Sequence, residues 1–446
     1  MSCCRRELSL KMMKYGVDRL SDLPEGLKGT ILECLPIKDA VRTSILSSEW
    51  RYIWTFMKRL DFGKAFVRVI RKYTRENYTT IIDRILLMHH GPIQYVSLFI
   101  PWDDMIGFDA WLLNWSRKGI QELEINAFRD QVLISHLPSS LFRFQSLTSV
   151  KLTSCELKPP PEFSGFCNLV TLHLRNVMVS SDSLGTFISR CRQLENLSIK
   201  YSFFCCLADP LIINAPNLRT MEFWGCTSGA IVFENVPRLS EVSLRHSLIM
   251  QLHMPEHHSK MCNPFNLLSS LHKIQKLDSD LCLLEHFNGD SPDNLPMLLI
   301  NLKTLRLNFL RICNRKDIAF IFCLLRSAPS LQTLHIEVFQ DLLYSPKAVA
   351  DCLEVLEVEG KKAIKFNELV TLNIGLINNL WAGVYEPTMF KLIEILLSSC
   401  PLLKTLYVAP NLQKYRDAVK LARVTKLLQF HRFSSNAKII VGSCVQ

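Results

Sequence analysis

The chain has 446 residues, of which 48% are hydrophobic and 21% charged, and its formal net charge is +11. This length is more than one ordinary domain needs, and the apolar content is enough for a large buried core. The positive charge favours acidic partners, but it is modest for the length and no long Lys/Arg block occurs. Composition therefore argues against a nucleic-acid-binding protein.

No signal for secretion or for membrane insertion is evident. Residues 1–9 lack an apolar signal core, and the apolar run from Ile318 to Leu325 is too short to span a bilayer. We expect residues 1–15 to form a disordered leader. The protein is expected to be intracellular, in the nucleus and/or the cytoplasm, without a membrane partner. Its sixteen cysteines should then be reduced, and most are expected to be buried structural thiols, since no Cys-x-x-Cys occurs.

Residues 18–54 contain start and stop signals for three short helices. Pro24 stands where a first helical residue belongs, and Pro36 ends that helix. The apolar positions of the helix recur every four residues, at Leu27, Ile31 and Leu35. The candidate N-caps are Ser21 or Asp22 for the first helix, Asp39 for the second, and Ser47 or Ser48 for the third.

So small a module cannot enclose all of its large apolar side chains by itself. Either the rest of the chain covers them or a separate partner does. The segment resembles the F-box in the order of four short motifs. These are Leu23-Pro24, Ile31-Leu32, Leu35-Pro-Ile-Lys-Asp-Ala40 and Ser48-Glu-Trp-Arg-Tyr-Ile-Trp54. The resemblance implies a three-helix module, assigned to residues 16–62, that docks on the Skp-type adaptor of a cullin-based ubiquitin ligase.

The resemblance also implies which residues dock. Carried over by position, the adaptor-binding residues are Leu23, Pro24, Leu27, Ile31, Leu32, Leu35, Pro36, Ala40, Val41 and Ile45. Trp50 and Trp54 are expected instead to anchor the module to the domain that follows.

From about residue 90 the chain repeats the pattern Leu-x-x-Leu-x-Leu. The clearest units are Leu147–Leu152, Leu169–Leu174, Leu194–Ile199, Leu218–Phe223, Leu239–Leu244, Leu302–Leu307, Leu331–Ile336, Leu369–Ile374 and Leu403–Val408. The first five start 22, 25, 24 and 21 residues apart, which is typical of leucine-rich repeats. Alternation at the end of each unit predicts a short strand that needs its neighbours to complete its burial.

Helices are expected between the strands, as at Ser183 to Arg190, Asp317 to Arg326 and Met389 to Ser398. The predicted fold is therefore α/β, an F-box followed at residues 63–365 by a leucine-rich-repeat solenoid with a curved parallel sheet and outer helices. The pattern fails at about 246–300, which is either an irregular repeat or a long loop. Its His253, His257, His258 and Cys262 fit solvated loop residues better than metal ligands.

The C-terminal segment resembles the FBD region of plant F-box proteins. The resemblance rests on Leu427 to Val441 together with the Cys-Pro-Leu-Leu-Lys-Thr-Leu unit that starts at Cys400. We assign residues 366–446 to FBD-like terminal repeats. The three parts in this order resemble the plant F-box/FBD/leucine-rich-repeat family.

Side chains that flank the last two apolar positions of each unit point out of the predicted concave sheet. The candidate target-binding residues are Lys151, His173, Arg175, Lys200, Trp224, Arg245 and Arg306. Stacked on neighbouring strands, the basic ones predict a positive stripe that binds an acidic or phosphorylated segment of a target protein, with Trp224 as an aromatic anchor. The alternative is that these residues are only hydrated side chains on an exposed sheet and bind no partner.

No catalytic motif is present: the chain has no Gly-x-Ser-x-Gly, no phosphate loop and no His-Glu-x-x-His. We therefore expect no enzyme activity of its own, no cofactor and no metal. The favoured function is the substrate-recognition subunit of a Skp–cullin–F-box ubiquitin ligase, with the repeats binding a target for ubiquitination. The alternative is a non-catalytic binding scaffold that engages the adaptor without an active ligase.

Overall fold

A computed structural model of the chain describes residues 20–73, 77–100, 107–127, 135–201, 203–204, 210–225, 231–246, 264–281, 292–339, 346–362, 365–376, 386–409, 425–434 and 436–442. The chain divides into two compact units, one ending at Met178 and the other beginning at Val179. The leader predicted for residues 1–15 lies outside the described ranges. Within those ranges, no helix has the length and apolar character needed to cross a bilayer.

The N-terminal module begins with two short helices, α1 (Glu25–Glu33) and α2 (Ile37–Arg42). Their N-cap residues are Pro24 and Pro36, whose rings fix the backbone in a geometry that leads into a helix. Proline has no side-chain acceptor, so neither N-cap residue provides a side-chain cap.

The predicted side-chain caps of these two helices are therefore wrong. Ser21 and Asp22 precede the N-cap position of α1, and the Ser21 hydroxyl instead lies 3.0 Å from the Ser47 hydroxyl. Asp39 lies inside the first turn of α2, where its carboxylate still interacts favourably with the positive end of the helix dipole.

The predicted third helix is not a continuous α-helix. Short 3-10 segments follow α2 instead, at Thr43–Ile45, Ser48–Trp50 and Ile53–Phe56. Ser47 is the N-cap of the second segment, but its side chain accepts no capping hydrogen bond. Segments of this type are usually only three or four residues long. This stretch can therefore turn between segments and direct both Trp50 and Trp54 inward.

The module has its own apolar core. Leu32, Ala40, Trp50, Trp54 and Met57 are buried together, and the partly buried side chains packed against them are Leu35, Val41, Ile53 and Ile85. Because Ile85 comes from a helix well beyond the F-box, the core continues into the structure that follows.

The first unit contains the strands β1 (Arg59–Phe62), β2 (Tyr95–Phe99), β3 (Glu122–Asn126), β4 (Ser135–His136), β5 (Ser149–Thr153), β6 (Cys155–Glu156) and β7 (Thr171–Arg175), and β8 (Met178–Val179) lies at its end. Its further helices are α3 (Lys64–Tyr73), α4 (Tyr78–Met88) and α5 (Phe108–Arg117), with a 3-10 helix at Ser139–Arg143. The strands β1, β2, β3, β5 and β7 pair in that order, all parallel. Strand β1 begins two residues after Met57, so the F-box runs directly into the sheet.

The second unit repeats the same plan. Its strands are β9 (Asn196–Lys200), β10 (Phe203–Phe204), β11 (Leu211–Asn214), β12 (Thr220–Gly225), β13 (Ile231–Asn235), β14 (Glu241–His246), β15 (Lys276–Asp280), β16 (Thr304–Arg311), β17 (Thr333–Phe339), β18 (Thr371–Leu376), β19 (Thr405–Ala409) and β20 (Lys438–Val441). Its helices are α6 (Ser181–Arg190), α7 (Pro264–Ser270), α8 (Arg315–Ser327), α9 (Pro346–Lys361) and α10 (Glu386–Ser399). The helices predicted at Ser183, Asp317 and Met389 are thus confirmed, each with slightly wider bounds.

Parallel pairing stacks one apolar side chain of each repeat on the next. In the second unit this buried row consists of Leu197, Met221, Val242, Leu277, Leu305, Leu334, Leu372 and Leu406. The row continues to the half-buried Ile439 on β20, so the C-terminal segment extends the same sheet. Each repeat therefore depends on its neighbours for burial, as the solenoid prediction requires.

The region 246–300 contributes one strand to the parallel sheet. Helix α7 leads into β15, which pairs in parallel with β14 on one side and β16 on the other. The described part of this region therefore fits an irregular repeat rather than a long loop. His253, His257, His258 and Cys262 lie outside the described residues.

The helical side of the second unit contains a buried ion pair. Asp317 is fully buried in the first turn of α8, and its carboxylate accepts hydrogen bonds from the backbone amide and the guanidinium of Arg311. These bonds offset the desolvation of both charges and tie the end of β16 to the start of α8.

We expect Leu32→Ala and Leu27→Ala to affect stability very differently although they lie on the same helix. Leu32 is 0% exposed and Leu27 is 53% exposed. Leu32→Ala should leave a cavity and lower the free energy of unfolding by about 2–5 kcal/mol, whereas Leu27→Ala should change it by less than about 1 kcal/mol. Thermal unfolding and limited proteolysis of the F-box would measure both, and equal losses would contradict the core assignment.

Candidate functional site

The F-box exposes large apolar side chains in addition to burying a core. Leu27 and Ile31 lie one turn apart on α1, and Ile45 and Leu46 follow α2. All four are exposed, and Ile45 is 84% exposed. We call these four residues the F-box apolar face. Large apolar groups left in water within so short a segment are typical of a protein-binding surface.

The ten predicted adaptor-binding residues fall into three groups. Exposed in the structure are Pro24, Leu27, Ile31, Pro36 and Ile45. Partly buried are Leu23, Leu35 and Val41. Leu32 and Ala40 are fully buried in the module's own core, so their assignment as contact residues is corrected to a structural role.

Several exposed apolar residues of the module were missed in the sequence. Leu46, Tyr52 and Phe56 are about as exposed as Leu27 or more so, and Leu20 is also exposed. The helical spacing identifies the apolar positions, but it does not show which of these side chains the module's own tryptophans cover. The only sequence signal for these exposed residues was that Leu46 directly follows Ile45 and is not one of the positions carried over from the F-box.

Trp50 and Trp54 lie in the core that joins the F-box to the rest of the first unit. His89 Nε2 lies 2.8 Å from the Met57 carbonyl oxygen, and the backbone amides of His90 and Gly91 donate to the Thr55 carbonyl at 2.9 and 3.0 Å. Gly91 is required there, because a Cβ at this position would lie 2.6 Å from the Phe56 Cα. The anchoring role expected for the two tryptophans is consistent with these contacts.

Charge pairing dominates the outward face of the sheet. Lys151 lies 2.8 Å from Glu124 in the first unit. In the second unit Lys200 lies 2.9 Å from Glu222, and Lys276 donates to Glu241 at 3.2 Å. Each pair joins neighbouring strands of the sheet. Of the predicted positive stripe, Lys151, Lys200 and Arg245 are therefore offset by acidic partners. For Arg175 and Arg306 the stripe stays a prediction.

Trp224 is half buried between two cations of its own chain. Lys200 Nζ lies 4.4 Å and the Arg245 guanidinium 5.0 Å from the centre of the indole, and the Tyr201 ring meets it edge-on at 6.0 Å. Both cations come from the strands that flank β12. These cation–π contacts hold the indole in place, so Trp224 is not a freely exposed aromatic anchor.

A polar network continues from Arg245 across the next strands. Arg245 donates to the Asp278 carboxylate at 2.7 Å, and Asn308 Nδ2 donates to Asp278 and Asp280 at 2.7 and 3.0 Å. Burial lowers the pKa of Arg245, but the Asp278 bond and the surrounding carboxylates outweigh burial and raise it overall. The guanidinium therefore stays charged.

Asp278 and Asp280 were missed because their repeat departs from the pattern. The unit reads Ile274-Gln-Lys-Leu277-Asp-Ser279, so a serine stands where other units have leucine or isoleucine. Ser279 is nevertheless buried at the leucine position. The partial match Ile-x-x-Leu was the signal that could have found this strand.

The other predicted target-binding residues lie on the same side of the strands. His173 and Arg175 are exposed on β7 in the first unit. Arg306 on β16 pairs in register with His335 on β17, and burial followed by the Arg306 charge lowers the pKa of His335. His335 also lies 2.9 Å from Asn373 Nδ2.

The described residues provide no group of histidine, cysteine or acidic side chains that could hold a metal ion. Burial raises the pKa of the Cys155, Cys352 and Cys400 thiols to about 12, so these cysteines are inert. The expectation of buried thiols is confirmed for most described cysteines, and Cys34 and Cys167 are the exposed exceptions among them.

Two family models match the chain. The F-box domain model matches residues 20–62, and the model described as FBD-associated F-box protein At5g56370, LRR repeats, matches residues 108–336. F-box/FBD/LRR-repeat protein At1g13570 of Arabidopsis thaliana is 31% identical over 434 residues, which cover 95% of this chain and 98% of the relative. FBD-associated F-box protein At5g56370 of the same plant is 24% identical over 452 residues, or 92% and 98% of the two chains.

The helical module, the strand–helix repeats and these matches define an F-box protein with leucine-rich repeats. Proteins of this class are typically non-catalytic adaptor subunits, and an F-box implies binding to a Skp-type adaptor. The chain belongs to the F-box/FBD/LRR-repeat family of plant proteins.

We expect the stability of the F-box joint to fall at acid pH through His89. Burial lowers the pKa of His89 below its ordinary value of 6.5, aided by the Lys118 charge and opposed by the Met57 hydrogen bond. The neutral imidazole is therefore favoured on folding. The contribution of the neutral His89 to the free energy of unfolding is complete above about pH 6.5. It is lost as the pH falls further, by about 1.4 kcal/mol for each unit by which the pKa in the folded protein lies below that in the unfolded chain.

Thermal unfolding of wild type and His89→Gln between pH 7.5 and 5.5 would measure this effect. The variant should show a shallower loss of stability with falling pH. His431→Gln, which changes an exposed histidine, serves as the control and should follow the wild type. Parallel curves for wild type and His89→Gln would contradict the assignment.

Proposed function

We propose that this protein is the substrate-recognition subunit of a Skp–cullin–F-box ubiquitin ligase. The observation that carries the proposal is the F-box apolar face, which the protein's own core does not cover. Full burial of a leucine or isoleucine side chain is worth roughly 1.5–3 kcal/mol, so an adaptor that covers several of them gains substantial binding energy. Exposed apolar side chains clustered on one module are typical of protein–protein interaction sites.

The joint between the F-box and the rest of the first unit supports a receptor in which the F-box is held in a fixed geometry on the strands of that unit. Strand β1 follows the F-box core directly, and the backbone bonds to Thr55 fix the joint further. A receptor of this kind acts by proximity: it raises the effective concentration of target lysines near the transferred ubiquitin without performing the chemistry itself.

The target is proposed to bind the outward face of the sheet. In the second unit this face alternates acidic and basic side chains, as in the pairs Lys200–Glu222 and Arg245–Asp278. Such a surface favours a target with charges of both signs over a uniformly acidic or phosphorylated segment, because its own carboxylates would repel one. The acidic-target hypothesis is therefore the weaker of the two.

The alternative function is a binding scaffold that engages the adaptor without an active ligase. The F-box apolar face supports adaptor binding equally in both cases. Recovery of a cullin together with the adaptor distinguishes them, since only a ligase subunit requires the cullin.

We expect Leu27→Ala/Ile45→Ala to weaken adaptor binding at least tenfold, since truncated hot-spot residues typically cost more than about 1 kcal/mol each. Co-purification of a Skp-type adaptor and a cullin with the full chain would measure the loss. Leu428→Ala is the matched control, because Leu428 is also 53% exposed but lies near the C-terminus. Unchanged adaptor recovery by the double variant would overturn the proposal, and adaptor recovery without cullin would favour the scaffold.

We expect Arg245→Glu to disrupt target binding while leaving adaptor binding intact. The substitution places a carboxylate beside Asp278 and removes one of the cations on Trp224. A target should bind roughly tenfold or more weakly, as for other disrupted interfacial charge pairs. Proximity labelling with the full chain would identify candidate targets. Ubiquitination of a true target should also require Leu27 and Ile45.

The control for this experiment is Lys391→Glu, which reverses a charge paired with Glu394 on helix α10, away from the sheet face. Candidate targets should be retained by this variant and lost with Arg245→Glu. If both variants retain the same targets, the sheet face around Arg245 is not the binding surface.

A further inference from the structure

An open surface depression with a volume of about 460 Å³ lies in the first unit between the end of α5 and the 3-10 helix Ser139–Arg143. Its lining includes Leu113, Ser116, Arg117, Arg143, Gln145 and Ser146. We call it the α5 cavity. Its volume is within the range of small-molecule sites in proteins. It belongs neither to the F-box apolar face nor to the outward face of the sheet.

The two arginines of the α5 cavity differ from the basic residues of the sheet face. Arg117 lies in the last turn of α5, and Arg143 ends the 3-10 helix. No carboxylate is among the described residues that line the cavity. Across the part of the chain that the structure describes, neither guanidinium has an ion-pair partner, whereas Lys151, Lys200 and Arg245 all do. Both arginines are exposed, so their charges face water and have no acidic partner among the described residues.

The hydrogen-bond donors of the cavity define the shape of the anion that fits. Ser116 Oγ donates to the Leu113 carbonyl at 2.8 Å, and Ser146 Oγ donates to the Ile120 carbonyl at 2.6 Å. Each hydroxyl has a single hydrogen, so neither has one left for a ligand. The remaining donors are the two guanidinium groups and the Gln145 carboxamide.

These donors match a phosphate group better than a carboxylate. A carboxylate carries a single negative charge and therefore balances only one of the two guanidinium charges, whereas a phosphate monoester carries nearly two. A phosphate monoester has three terminal oxygens and can accept from both guanidinium groups and from an amide. Interaction of Arg117 with the negative end of the α5 dipole would explain one arginine at this place, but not the second.

We propose that the α5 cavity binds the phosphate group of a small phosphorylated molecule. The cavity is concave and is lined by two short segments, 113–119 and 143–146, which suits a compact ligand. The site is independent of adaptor docking and of target binding, so the proposal does not depend on the proposed function.

Pyrophosphate and inorganic phosphate are the probes for this site, and acetate is the carboxylate comparison. Titration of the full chain by isothermal calorimetry at fixed ionic strength should show saturable binding of the two phosphates and none of acetate. Arg117→Gln and Arg143→Gln should each weaken pyrophosphate binding about tenfold or more, since hydrogen bonds to charged groups have this size. Arg143→Lys keeps the charge but loses the bidentate geometry and should fall between wild type and Arg143→Gln.

Lys118→Gln is the matched control, because it removes one positive charge next to Arg117 from a residue outside the cavity lining. Its pyrophosphate affinity should equal that of the wild type, and circular dichroism would verify that every variant is folded. Loss of binding in Lys118→Gln to the same extent would show non-specific charge attraction and overturn the proposal. So would the absence of phosphate binding by the wild type, equal binding of acetate, or tighter binding of a phosphoserine peptide than of pyrophosphate.

Discussion

The in-register stacking of one buried apolar side chain per repeat is the interaction on which the rest of the structure depends. In the first unit the row runs through Leu60, Val96, Leu123, Val150 and Leu172, each fully or almost fully buried. A single strand–helix repeat cannot bury its own leucines, so each is stable only between neighbours. Leu60 lies on β1, at the C-terminal end of the F-box, and therefore joins this module to the row.

The same register determines the chemistry of the outward face. Parallel strands lie about 4.8 Å apart, so side chains at equivalent positions of adjacent repeats are direct neighbours. Lys151 meets its register partner Glu124, and Lys276 meets its register partner Glu241. Lys200 is in register with Trp224 and reaches diagonally to Glu222 on the same strand. The overall positive charge of the chain is thus a poor guide to this face, because local pairing rather than composition decides its potential.

The sequence was sufficient for features that follow from periodicity, but not for those set by tertiary contacts. The leucine units predicted the strands, and the helices beginning near Ser183 and Asp317 followed from their 3.6-residue pattern. The strand at Lys276–Asp280 escaped because Ser279 breaks the pattern, although its neighbours still impose the buried position. Leu32 could not be separated from Leu27, since helical spacing gives two apolar stripes and only the packed tryptophans decide which one is covered.

The two proposed binding surfaces differ in whether their charges are paired within the protein. At the sheet face, a partner that bonds Arg245 must compete with Asp278, so the gain in electrostatic energy is small and geometry provides the selectivity. At the α5 cavity no internal carboxylate has to be displaced from Arg117 or Arg143, so an anion gains the full charge-assisted hydrogen bonds. The net positive charge of the chain therefore matters most where the fold leaves arginines without acidic neighbours, which is outside the sheet face that the sequence had indicated.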